Sequence, residues 1–147
     1  MDVIADRYDT VLLDLDGVLY RGNRPIPGAS AAVDGLRSRG VRVVFVTNNA
    51  SRTPEQVAGH LASVGIDAAV AEIETSALVT ASTLADRGVR SAFVVGQDGL
   101  IAALDDRGIA SVPLAAGPEA VVVGLDRAVT YDRLRDAALA VQRGAAF

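Results

Sequence analysis

Short runs of apolar, often branched residues recur along the chain, each followed by a polar or glycine break and then by a stretch with helical spacing. Thr10-Val11-Leu12-Leu13 and Ala120-Val121-Val122-Val123-Gly124 read as buried strands. Val41-Arg42-Val43-Val44-Phe45-Val46 and Arg90 to Val95 read as two more, with shorter candidates near Ala71 to Ile73 and Ile109 to Val112. Helices are predicted from about Gly28 to Arg39, with Ala32, Val33 and Leu36 facing inward, and from Thr53 to about Val64, with Val57, Leu61 and Val64 inward. Others are expected from Thr75 to about Arg87, Leu100 to Arg107 and Thr130 to about Arg143. Thr53-Pro54-Glu55-Gln56 has the form of a capping box with proline at the first helical position. Arg39-Gly40, Arg87-Gly88, Arg107-Gly108 and Arg143-Gly144 read as helix ends, arginine complementing the negative end and glycine supplying the left-handed residue. Strands alternating with helices of this length imply βαβ units, hence an α/β fold with a mainly parallel sheet.

Composition narrows the function classes. The 147 residues suit one domain, or one domain and part of another, and half are hydrophobic, enough for a real core. A formal net charge of −4 leaves no basic field for nucleic acid. There is no cysteine, which excludes disulfides and thiolate metal sites. Every basic residue is arginine. Met1-Asp2-Val3-Ile4-Ala5-Asp6 is acidic and unlike a signal peptide, and no apolar run approaches a membrane span. The expectation is a soluble, cytoplasmic protein with neither nucleic-acid nor membrane partners.

The chemistry gathers where the first strand ends, at Asp14-Leu15-Asp16-Gly17. Period 2 sends Asp14 and Asp16 to the same side, and Gly17 permits a sharp turn. A single aspartate there would read as a turn former. Two like charges at the end of a buried strand point instead to a cation or a shared proton. The spacing does not fit an EF-hand, which wants a longer ladder of oxygen ligands. Thr47 and Asn48 close the second long strand. In an open parallel sheet ligands bind beyond the carboxyl ends of the strands, so neighbouring strands would set two carboxylates opposite a hydroxyl and a carboxamide. Oxygen donors without cysteine favour a hard cation such as Mg²⁺, and the arrangement suits a phosphoryl group. One aspartate would attack to give an aspartyl phosphate, while the second acts as acid and then as base.

Asp14-Leu15-Asp16-Gly17-Val18-Leu19 with Thr47-Asn48-Asn49-Ala50-Ser51-Arg52 resembles motifs I and II of the haloacid dehalogenase-like phosphatases, in the branch that holds NagD, 4-nitrophenylphosphatase and phosphoglycolate phosphatase. Pro27-Gly28-Ala29, Thr75-Ser76-Ala77, Val94-Val95-Gly96 with Gly99-Leu100, and Val122-Val123-Gly124-Leu125-Asp126 extend the likeness from about Tyr8 to the last residue. The resemblance implies that Asp14 is the nucleophile and a Mg²⁺ ligand. It implies that Asp16 is the general acid and base and binds the metal through its backbone carbonyl. Thr47 and Asn48, with Gly17, would hold the transferring phosphoryl group of a small phosphorylated metabolite. Residues 1–86 would form the N-terminal part of a Rossmann-like core, and residues 87–147 the start of an α/β cap domain.

The resemblance also implies a motif III cation, usually lysine, and a motif IV acidic pair, both following the cap. The chain holds no lysine and ends just after its fourth Arg-Gly pair. We therefore expect the N-terminal part of a longer protein, poor in Mg²⁺ binding and turnover on its own. Two other classes stay open beside the phosphatase: a non-catalytic phosphate-binding module, and a fragment that self-associates into a homo-oligomer. Among the remaining residues, His60 reads as lying on the flank of its helix. Gly96-Gln97-Asp98-Gly99 reads as an ordinary turn, and Arg127, Arg133 and Arg135 with Asp126, Asp132 and Asp136 as a solvated face. Residues 17–27, with two glycines and two prolines, read as a loop. Within it Gly22, Asn23 and Arg24 are candidates for a flap over the site, and Asp126 is a candidate for a substrate or subunit contact.

Overall fold

A computed structural model describes residues 7–147; the acidic N-terminal residues 1–6 lie outside the described residues. The elements follow the expected rhythm: β1 (Thr10–Asp14), β2 (Tyr20–Arg21), β3 (Arg24–Pro25), α1 (Ala29–Ser38), β4 (Arg42–Thr47), α2 (Pro54–Ser63), β5 (Ile73–Thr75) and α3 (Ser76–Asp86). Then come β6 (Ser91–Val95), α4 (Asp98–Asp106), β7 (Ala110–Ser111), β8 (Ala120–Val123) and α5 (Tyr131–Gln142). None of the described helices is long and apolar enough to cross a membrane.

Among the described residues the chain divides into two compact units, residues 7–48 with 54–74, and residues 49–53 with 75–147. This division differs from the boundary expected at 86. Ala77 and Ala81 of α3 are buried with Ala92 of β6 and Leu104 of α4, so the helix packs into the second unit.

The first unit holds a three-stranded sheet in the order β1-β4-β5, with β1 and β4 parallel and Asp14 opposite Val46. One core gathers Leu15, Leu19, Val33, Phe45, Val57 and Leu61, drawn from the strand ends, α1 and α2. Val57, Leu61 and Val64 are buried as expected of α2. In α1 the buried residues are Ala29 and Val33, while Ala32 is exposed. Successive residues of a helix are turned by about 100°, so an inner face of 29 and 33 sets 32 to its outer flank. The expectation that β1 is a buried strand fails at Leu12, which is 68% exposed. Period 2 puts Leu12 on the face of the sheet away from the core, and apolar branching alone cannot tell one covered face from two. Arg37, near the end of α1, donates to Glu72 Oε2 at 2.7 Å and to the Asp67 carbonyl at 2.7 Å, tying α1 to the approach to β5.

The second unit holds a sheet in the order β7-β6-β8, with both pairings parallel. Here period 2 is visible on both faces. Ala92, Val94, Ala120 and Val122 pack with α3 and α4, whereas Phe93, Val95 and Val121 pack with Ala137 and Ala140 of α5. Ala146 bridges Ala120 in parallel, beginning a further pairing beside β8. Thr75 caps α3 by accepting from the Leu78 amide, and Thr130 caps α5 by accepting from the Arg133 amide. The glycines of the four Arg-Gly pairs all lie at positive φ, as the helix ends required.

Asp98 and Gly99, expected in a turn, form the first turn of α4. The loop 49–53 explains the need for glycine there. Asn49 Oδ1 accepts from the Ser51 amide at 2.8 Å and hydroxyl at 2.6 Å, and the Ser51 carbonyl accepts from the Gly99 amide at 3.3 Å. A Cβ on Gly99 would stand 2.4–2.6 Å from the Arg52 backbone, closer than any side chain tolerates. Arg135 bonds Asp132 and Asp136 on the surface, in keeping with a solvated face. Its guanidinium pKa is raised, first by the hydrogen bonds it donates to Asp136. Arg133 departs from that pattern: its Nε and Nη2 both donate to the Val94 carbonyl, at 3.2 and 2.8 Å.

Candidate active site

Because β1 and β4 are parallel neighbours in register, their carboxyl ends lie side by side. β1 ends at Asp14 and β4 ends at Thr47, with Asn48 next along the chain. The two polar clusters read separately from the sequence therefore share one edge of the first unit's sheet. Leu15 explains the spacing of the aspartates. It is only 1% exposed and anchored in the core, so Asp14 and Asp16 on either side of it are both exposed.

That exposure corrects one premise. Both carboxylates keep water contact, so burial imposes no large cost on their charges. The case for a site rests instead on convergence with Thr47 and Asn48. Thr47 is buried, 7% exposed, and Asn48 is exposed.

Gly17 turns the chain at φ +84, a left-handed conformation that disfavours side chains. Its amide donates to the Tyr20 carbonyl at 2.7 Å, and the amides of Leu19 and Tyr20 donate back to the Leu15 carbonyl at 2.8 and 3.3 Å. Asp16 bridges Tyr20. Asp16 thus rides on a hydrogen-bonded turn rather than a free loop. The segment after it, expected to be a loop, contains a small antiparallel hairpin, with Tyr20 opposite Pro25 and Arg21 opposite Arg24. Gly22 and Asn23 form its tip, between β2 and β3.

Among the described residues, no group of three or more histidine or acidic side chains gathers to hold a metal ion. A carboxylate and a backbone carbonyl are oxygen donors of the kind Mg²⁺ takes when water and a phosphate supply the rest. The donor chemistry at Asp14 and Asp16 therefore fits Mg²⁺, although the protein ligands here are few. Asp126 belongs to the second unit. It caps a turn there, its Oδ1 accepting from the Ala128 amide at 2.9 Å.

The model of the haloacid dehalogenase-like hydrolases matches residues 11–110, a span that takes in both clusters. The chain belongs to that family. It is 39% identical over 142 residues to an acid sugar phosphatase of Staphylococcus aureus, covering 96% of this chain and 54% of that protein. Among solved structures, a magnesium complex of glycerol phosphate phosphatase from Mycobacterium tuberculosis matches with a TM-score of 0.92 at 36% identity, over 99% of this chain and 44% of that one. NagD from E. coli K-12 matches with a TM-score of 0.87 at 33% identity, over 94% of this chain and 54% of its own. The chain spans about half the length of the curated relatives it matches. Its fold is thus the N-terminal part of a haloacid dehalogenase-like α/β architecture, with mainly parallel sheets.

Proposed function

We propose that this chain carries the nucleophile half of a Mg²⁺-dependent phosphatase acting on small phosphomonoesters. The observation that supports it best is the parallel pairing of β1 with β4, which sets Asp14 and Asp16 beside Thr47 and Asn48. Similarity to phosphatases, one of them crystallised with magnesium, adds to it. In this reading the first unit is core and the second begins a cap.

Asp14 Oδ attacks phosphorus, forming an O–P bond as the ester P–O bond breaks, while the Asp16 carboxyl gives its proton to the departing alkoxide. Asp16, now a carboxylate, takes a proton from water, which attacks the aspartyl phosphate. Inorganic phosphate leaves and the Asp14 carboxylate is restored. Thr47 and Asn48 donate to the phosphoryl oxygens throughout, and Mg²⁺, when bound, offsets the repulsion between carboxylate and phosphate. Asp14 would ligate it through its side chain and Asp16 through its backbone carbonyl.

The test is hydrolysis of 4-nitrophenyl phosphate by the chain, with and without Mg²⁺, beside Asp14→Asn. Mg²⁺-dependent release that falls by about 10⁴-fold in the variant supports the proposal. Release that survives the substitution contradicts it. A second reading, phosphate binding without turnover by these 147 residues, is favoured by the lack of a third acidic ligand among the described residues. It predicts no release from either form.

A further inference from the structure

His60 stands near the end of α2, far in sequence from the catalytic turn, yet the fold brings it to the hairpin that follows Asp16. Its Nε2 lies 3.0 Å from the Gly22 carbonyl, at the tip between β2 and β3. A carbonyl can only accept, so Nε2 carries the proton. The ring also meets Tyr20 edge-on, with centroids 4.5 Å apart and planes at 88°. One side chain thus holds the hairpin twice, at the strand that leads in and at the turn.

The hairpin needs such support. Each strand is two residues long, and Arg21 through Pro25 are all exposed. A two-stranded hairpin of this size is marginal in water without packing. Its other ties include the Ile26 amide on the Leu19 carbonyl at 2.9 Å and the partly buried Tyr20 and Ile26 against the core. The hairpin in turn forms the far wall of the Asp16 turn, because the Tyr20 carbonyl is the acceptor for the Gly17 amide.

We infer that His60 is a positioning residue for the Asp14–Asp16 turn, acting through Tyr20 and Gly22. It touches no reacting group; it fixes the hairpin that closes the turn carrying the general acid. The inference rests on the phosphatase reading for the role of that turn, but not for the clamp itself.

Backbone amide exchange by NMR tests the clamp on the full chain, with three variants that separate its two contacts. His60→Ala loses both, His60→Phe keeps a ring without a donor, and His60→Gln keeps a terminal donor without the ring. Exchange at Gly17 and Ile26 is expected to rise about tenfold in His60→Ala, the scale of one hydrogen bond with a ring contact. Intermediate values are expected in the other two variants, and Val43 and Phe45 should stay unchanged in all three. Mg²⁺ titration of the same samples, followed at Gly17, should show a midpoint several-fold higher in His60→Ala. Unchanged exchange at Gly17 and Ile26 would overturn the clamp. So would a uniform rise that includes Val43 and Phe45, which would mean His60 only stabilises the unit. If Mg²⁺ leaves Gly17 unmoved in the native chain while His60→Ala still loosens the turn, the phosphatase reading fails and the clamp stands.

Discussion

The two units are built alike and equipped differently. Each holds a three-stranded sheet with a parallel central pairing, and every α-helix but α2 ends in arginine followed by glycine. In the first, the strands run out into Asp14, Asp16, Thr47 and Asn48. In the second, β6 and β8 run out into Gly96 and Gly124, and Leu100 closes over both. A Cβ on Gly96 would lie 2.7 Å from Leu100 Cδ2, and one on Gly124 3.1 Å from it. At the strand ends themselves, where an open sheet binds ligands, one unit presents carboxylates and the other presents glycines covered by Leu100. The fold supplies the position; the residues at the strand ends decide whether chemistry happens there.

The contrast can be broken from either side. The largest effect on stability is expected from core truncation. Leu61 and Leu104 are both 0% exposed, one in each unit. Leu61→Ala and Leu104→Ala should each cost about 2–5 kcal/mol in urea unfolding. Only Leu61→Ala should also disturb the amides of the Asp14–Gly17 turn, because Leu61 shares its core with Leu15 and Leu19. Gly99→Ala comes next. The Arg52 backbone must move to admit the methyl, so a loss of about 1–3 kcal/mol is expected, with the largest shifts at Ser51 and Arg52. Thr130→Ala removes a cap on the second unit and should cost about 1 kcal/mol without touching residues 14–17.

Much of this was legible in the sequence because it rests on local rules. The Thr75 and Thr130 caps, the Arg-Gly ends and the pairing of Asp14 with Asp16 across a buried Leu15 each follow from a few neighbouring residues. The adjacency of Asp14 and Thr47 needed the parallel rule as well, and the structure supplies the register. What stayed hidden depends on distant partners. Residues 20–25 read as a loop because strands of two residues carry no periodicity. His60 read as lying on the flank of its helix, and its partners stayed hidden because they lie 38 and 40 positions away. Leu12 read as buried because an apolar strand does not reveal how many of its faces are covered. The grouping of residues 49–53 with the second unit rests on the backbone contact between Arg52 and Gly99, which no local pattern announces.

The most direct measurement is amide shift mapping on the chain with Mg²⁺ and beryllofluoride, a mimic of a phosphoryl group on aspartate. The largest shifts are expected at residues 14–17 and at Thr47 and Asn48, with none at Gly96 or Gly124 and no response in Asp14→Asn. Shifts centred on the second sheet, or a response that survives in Asp14→Asn, would contradict the proposal.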